Sequence, residues 1–144
     1  MKTTARAVVI GGGVVGVSTL YHLAKMGWSD VVLLERKELT SGSTWHAAGL
    51  LPLFNLSYSV GKLHQYSVNL YPTLEAETGL HAGLSQVTNI RLATTKDRMD
   101  EYHYYAGVAR TIGVDVNFLT PGQVKDIWPL ANMDGVIGAI QHPD

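Results

Sequence analysis

The 144 residues carry 46% apolar and 16% charged side chains and a formal charge of −1, the balance of an ordinary folded chain with room for one modest domain. No cysteine is present, which excludes disulfides, thiolate zinc sites and iron–sulfur ligation, and no basic stripe exists that could follow a nucleic-acid backbone. The six histidines, at 22, 46, 64, 81, 103 and 142, include no pair at a metal-ligand spacing, so no metal is expected.

Lys2 and Arg6 precede an apolar stretch, but Val8-Val9-Ile10 runs at once into three glycines. A secretory leader needs a longer continuous apolar run, and no segment approaches a membrane span. A soluble, cytoplasmic protein is the expectation.

Ala5 to Ile10 read as a short buried parallel strand, apolar and rich in β-branched residues. The strand ends in Gly11-Gly12-Gly13-Val14-Val15-Gly16, which fits G-x-G-x-x-G. Val17, Leu20, Leu23 and Ala24 then recur at helical spacing, and Gly27 is placed to close that helix. A second apolar run, Val31 to Leu34, ends at Glu35, 19 residues beyond Gly16.

Each part of this strand–turn–helix–strand–acid order has a physical task. Gly11 permits the tight turn, Gly13 lets the backbone approach a pyrophosphate, and Gly16 lets the helix pack on the strand. The amides of Val14 and Val15 are expected to be free at the positive end of the helix dipole. Glu35 is placed to accept hydrogen bonds from adenosine ribose hydroxyls, and beside Arg36 it would still repel a 2′-phosphate. The pattern predicts a dinucleotide site and leaves FAD and NAD both open.

The following loop reads Thr40-Ser41-Gly42-Ser43-Thr44-Trp45-His46-Ala47-Ala48-Gly49-Leu50. Small and hydroxyl residues suit a backbone that passes close to a ligand, and equally suit a surface loop with a helix cap at Ser43 or Thr44. Beyond it, residues 57–78 read as a helix that Pro72 should kink or divide. Residues 87–94 read as a strand, and Thr95 caps a helix running to about Ile112. A further strand is expected over 114–119. Thr120, Pro121 and Gln123 then form a capping box with proline at the first helical position. Pro129 stops that helix, and a last strand is expected over 136–140. His22, His64, His81, His103 and His142 read as packing or surface residues, and Tyr102, Tyr104 and Tyr105 as packing residues.

The run from Glu35-Arg36 through TSGSTWHAAGL resembles the flavin-binding region of the dimethylglycine and sarcosine dehydrogenase family, flavoproteins of the glycine-oxidase and D-amino-acid-oxidase type. Ile90-Arg91-Leu92-Ala93-Thr94-Thr95 and Trp128-Pro129-Leu130 extend the resemblance over nearly the whole chain. It implies bound FAD, attached covalently through His46, with Gly42, Ser43, Thr44, Trp45, His46, Ala47, Ala48, Gly49 and Leu50 around the pyrophosphate and flavin. Eleven residues separate Glu35 from His46, a reach of up to roughly 36 Å if extended.

The resemblance also implies oxidation of an N-methyl amine by hydride transfer to the flavin, with oxygen or an electron-transfer flavoprotein as acceptor. Tetrahydrofolate is an implied partner of the full-length protein. No catalytic residue is assigned within these residues.

The expected fold class is α/β: the N-terminal part of a Rossmann-type, glutathione-reductase-like FAD domain with the beginning of a mixed-sheet substrate layer. Within 1–144 the divisions are a dinucleotide-binding βαβ unit at 5–35, the flavin loop at 40–51 and the start of the substrate layer at 85–144. A parallel dinucleotide sheet usually has five or six strands and only two are found, so the chain reads as truncated. Two other readings are a non-catalytic regulatory protein on the same fold and an NAD-binding dehydrogenase domain.

Overall fold

Strand β1 (Ala7–Ile10) and strand β2 (Val31–Leu34) pair in parallel, Ala7 opposite Val31 and Ile10 opposite Leu34, with helix α1 (Val14–Lys25) as the crossover. The computed structural model describes residues 3–143. Lys2 and both ends of the expected 1–144 segment therefore lie outside the described residues. Two compact units divide the chain, Met1–Leu50 and Leu51–Asp144.

In the first unit α1 ends as its sequence suggests. Gly27 takes a φ of +84°, its N–H donates to the Ala24 carbonyl at 2.9 Å, and the Trp28 N–H reaches back to Leu23 at 3.0 Å. These two bonds satisfy carbonyls that the last turn leaves open. No side chain of α1 is buried, and β1 exposes 51% of Val8 and 86% of Ile10.

The second unit begins with α2 (Tyr58–Thr78) and continues through β3 (Asn89–Ala93), α3 (Lys96–Ile112), β4 (Asn117–Leu119), α4 (Pro121–Ile127) and β5 (Gly138–His142). Its three strands lie in the order β3-β5-β4, each antiparallel to its neighbour. A core of Ala93, Tyr102, Tyr105, Ala109, Ile112, Val114 and Ile140 joins α3 to the sheet.

Local chemistry starts both later helices. Thr95 Oγ1 accepts the Arg98 N–H at 3.2 Å. At α4 the Thr120 N–H donates to Gln123 Oε1 at 2.8 Å while Thr120 Oγ1 accepts the Gln123 N–H at 3.3 Å, with Pro121 opening the helix. At Gly61 of α2 a Cβ would stand 2.3 Å from Ile112 Cδ1, so the glycine makes room for the Ile112 side chain between α2 and α3. That approach brings Lys62 Nζ to the Ile112 carbonyl at 2.7 Å and Gln65 Nε2 to the Gly113 carbonyl at 3.0 Å. Two polar side chains thus close the C-terminal end of α3, where carbonyls are otherwise unpaired and a cation is favoured.

Four sequence expectations change. Helix α2 passes Pro72 without division, because it loses one donor there and keeps its turns on both sides. The strand expected over 114–119 is limited to Asn117–Leu119. The last strand begins at Gly138 rather than 136, because the Val136 N–H closes a turn onto Met133 at 3.0 Å, and it continues through His142. Tyr104 is 67% exposed, whereas Tyr102 and Tyr105 are buried.

Candidate functional site

The glycine turn after β1 is closed to a side chain at Gly16 and tight at Gly13. A Cβ on Gly16 would stand 1.9 Å from the Gly11 carbonyl oxygen, and one on Gly13 would stand 3.1 Å from Thr44 Oγ1. Gly11 itself has a φ of +105°, a region closed to most residues. Its N–H donates to the Leu34 carbonyl at 2.8 Å, tying the turn to the end of β2.

Gly12, which the motif leaves unspecified, is the buried centre of this arrangement. Its N–H donates to Glu35 Oε2 at 2.7 Å, and its carbonyl accepts the Thr40 N–H at 2.9 Å. A Cβ there would meet Leu39 Cδ2 at 2.5 Å. Glu35 receives a second backbone bond, from the Lys37 N–H to Oε1 at 2.9 Å. The Gly12 N–H first and the Lys37 N–H second hold its carboxyl below the usual carboxylate range. Both oxygens keep lone pairs beyond these bonds, so an ionised Glu35 can still accept from vicinal hydroxyls.

The loop after β2 returns to the same helix end. Thr40 holds a φ of +66°, unusual for a β-branched residue, and its carbonyl accepts the Trp45 N–H at 3.1 Å. Ser43–His46 form a single tight helical turn after Gly42, with no side-chain cap at Ser43 or Thr44. Thr44 Oγ1 instead accepts the Val14 N–H at 2.9 Å, capping α1 from a distant part of the chain. The expectation of two free amides is thus corrected: Val14 is engaged by Thr44, and Val15 keeps an N–H without a partner among the described residues.

The result is a groove of about 680 Å³. Of the residues expected from sequence, Gly11, Gly13, Val14, Val15, Gly16, Glu35, Arg36, Gly42, Ser43, Thr44 and Ala47 line it; Trp45, His46, Ala48, Gly49 and Leu50 do not. Trp45 and Leu50 are 76% and 75% exposed. Thr19, Lys37 and Ser41 line it without having been anticipated. For Gly12 the available signal was a glycine between two motif glycines, at a position the motif leaves free.

The groove fits a dinucleotide cofactor. Its floor is glycine backbone, closed to a Cβ at Gly16 and unfavourable for one at Gly11 through its positive φ; a helix N-terminus with an unpaired amide lies on it, and an acid stands at the far strand end. That much is common to FAD and NAD.

The comparisons with known proteins separate them. Residues 6–144 match the family described as FAD dependent oxidoreductase. The chain belongs to that family. Its α/β architecture is accordingly that of the Rossmann-type part of an FAD-dependent oxidoreductase, followed along the chain by a three-stranded antiparallel sheet.

Dimethylglycine dehydrogenase, mitochondrial, of Rattus norvegicus is 46% identical over 142 residues, covering 99% of this chain and 17% of that protein. Sarcosine dehydrogenase, mitochondrial, of Homo sapiens is 42% identical over 144 residues, covering 99% and 16%. Pyruvate dehydrogenase phosphatase regulatory subunit, mitochondrial, of Mus musculus is 38% identical over 144 residues, covering 100% and 16%. Among solved structures, L-proline dehydrogenase from P. horikoshii superposes with a TM-score of 0.89 at 26% identity, over 99% of this chain and 37% of that one. The chain thus spans about a sixth of the length of the curated relatives named here.

Among the described residues no helix is long and apolar enough to cross a membrane, and no group of His, Asp and Glu is arranged to hold a metal ion. The three curated relatives named above are mitochondrial, and so lend no support to a cytoplasmic location.

Proposed function

We propose that this chain is the flavin-binding N-terminal segment of an enzyme that oxidises an N-methyl amine such as dimethylglycine or sarcosine. The observation that carries the substrate class is the 46% identity to dimethylglycine dehydrogenase over 142 residues, with sarcosine dehydrogenase at 42%. In this reading the βαβ unit is 5–35, the flavin loop 40–51 and the substrate layer begins at 85. The FAD that the groove would hold supplies a two-electron acceptor for a C–H hydride.

The chain's own residues bind and orient. The Val15 N–H and the N-terminus of α1 face the pyrophosphate, Glu35 accepts from the ribose, and Thr44, fixed to Val14, sets the path of the loop that carries His46. His46 would hold the flavin covalently; its place at the end of the tight turn 43–46, one residue before the groove-lining Ala47, supports that role. Oxygen or an electron-transfer flavoprotein as acceptor, tetrahydrofolate as carrier of the released one-carbon unit, and a cytoplasmic location belong to the same proposal.

The test is intact mass and visible absorbance after denaturation, on the protein extended past Asp144, beside His46→Ala. The expected result is a flavin retained by the parent protein and lost from the variant. A parent protein that binds no flavin would sink the reading. The 38% identity to the phosphatase regulatory subunit favours one second reading, a regulatory protein on the same fold. That reading gains if FAD binds but N-methyl amines leave its spectrum unbleached under anaerobic conditions.

A further inference from the structure

The tight turn Ser43–His46 and the stretch after it lie open, with Ser43, Trp45 and every residue from His46 to Leu50 exposed. Little buried surface therefore holds this segment in place. Thr44 is the exception. Its Oγ1 accepts the Val14 N–H at 2.9 Å, and among the described residues this is the one hydrogen bond that joins residues 41–50 to β1, the glycine turn or α1. Gly13 leaves room for it, since a Cβ there would stand 3.1 Å from the same oxygen. Val14 is the first residue of α1, so the Thr44 hydroxyl occupies an amide that the helix dipole otherwise offers to an anion.

A phosphate oxygen and the Thr44 hydroxyl thus compete for one donor. A hydrogen bond to a charged acceptor is roughly twice as strong as one between neutral groups, so the phosphate wins the Val14 N–H and Thr44 lets go. The segment it releases has the parts of a hinged strap. Gly42 and Gly49 bound it, Gly49 at a φ of +75°. Inside it the Trp45 N–H is shared between the Thr40 carbonyl at 3.1 Å and the Gly42 carbonyl at 3.2 Å. Thr40, at a φ of +66°, is held from both sides, by its N–H on the Gly12 carbonyl and by its own carbonyl under the Trp45 N–H. A β-branched residue keeps such a backbone only while its surroundings over-determine it, and movement of the turn removes one of the two bonds. His46, outside the groove lining as the turn stands, moves with it.

We propose that Thr44 is a latch operated by phosphate: it holds residues 41–50 against α1 until the pyrophosphate of a dinucleotide takes the Val14 N–H, and the turn that bears His46 then swings free. The proposal rests on the dinucleotide reading of the groove and adds an order of events, the pyrophosphate first and His46 second.

The test is a titration of the chain with ADP, which carries the ribose and two phosphates without a flavin, on the parent, Thr44→Val and Thr44→Ser. Valine keeps the branched shape and removes the acceptor; serine keeps the acceptor. With no latch to displace, Thr44→Val should bind ADP about fivefold more tightly, the worth of one helix cap, and Thr44→Ser should return to the parent affinity. In the parent, ADP should also lower the NMR order parameters of residues 43–47 to those of a flexible loop, below about 0.6. ADP binding that is equal or weaker in Thr44→Val, or order parameters that ADP leaves unchanged or raises, would each overturn the latch and leave the groove reading intact. ADP bound by none of the three proteins would end the groove reading and the latch together.

Discussion

The two units hold their shapes by different means. Between residues 3 and 50 the only fully buried residue is Gly12, which has no side chain, while Ile10, Val15, Trp45 and Leu50 are each at least three-quarters exposed. Between 51 and 143, Tyr105, Ala109, Ile112, Val124 and Ile140 are buried almost completely. The first unit is thus defined by backbone: a glycine turn, two amides on Glu35, and Thr44 on the end of α1. The second is defined by side chains packed between a helix and an antiparallel sheet. A surface that presents its own amides to a phosphate is shaped by backbone rather than by side chains.

The comparison breaks most directly by removing apolar bulk from each unit in turn. Ile140→Ala empties a fully buried site and is expected to cost about 4 kcal/mol in denaturant unfolding, whereas Ile10→Ala, at a side chain 86% exposed, should stay within about 0.5 kcal/mol. Equal costs would mean that the first unit has a core of its own. Gly16→Ala inverts the pattern. Its Cβ meets the Gly11 carbonyl at 1.9 Å, so the turn must open at a cost of about 3 kcal/mol, read as lost amide-exchange protection in residues 7–34 with β3–β5 unchanged.

Acid should sharpen the contrast from the other side. His142 is held near 4 against an ordinary 6.5, so the unfolded chain takes up a proton first as pH falls. Its contribution is fully present above pH 6.5, declines down to about 4 and is flat below. The decline should amount to about 2–3 kcal/mol of second-unit stability, and be absent in His142→Phe. Glu35, with its pKa lowered by backbone donors, acts in a lower window: its stabilisation is present above the unfolded carboxylate value and is lost as pH falls through the lowered one. A smaller loss than at Ile140, Gly16 or His142 is expected for Lys62→Met, which removes the cation from the Ile112 carbonyl and should cost about 0.5–1 kcal/mol, seen as fraying at the C-terminal turn of α3.

How much of this was legible depended on how far apart the interacting residues lie. Thr95 with Arg98, and Thr120 with Pro121 and Gln123, act within one turn, and their helices begin where the sequence placed them. The G-x-G-x-x-G turn and Glu35 were legible because their task fixes residue type and spacing together. At Pro72 a local rule allowed a division or a kink, and the division does not occur: a 21-residue helix runs through it undivided.

By itself, then, the sequence determined the strand–glycine turn–helix–strand–acid unit, both capped helices and, through TSGSTWHAAG, the expectation of a flavin. Only the tertiary structure decided that Thr44 caps α1 across 30 residues, that Gly12 joins Glu35 to Thr40, that Gly61 admits Ile112, and that His142 is buried against Tyr105. Caps, turns and periodicities are set by backbone geometry over a few residues and leave a mark on the sequence there. A contact between residues more than 20 apart leaves no such mark, because either partner taken alone is an ordinary threonine, glycine or histidine.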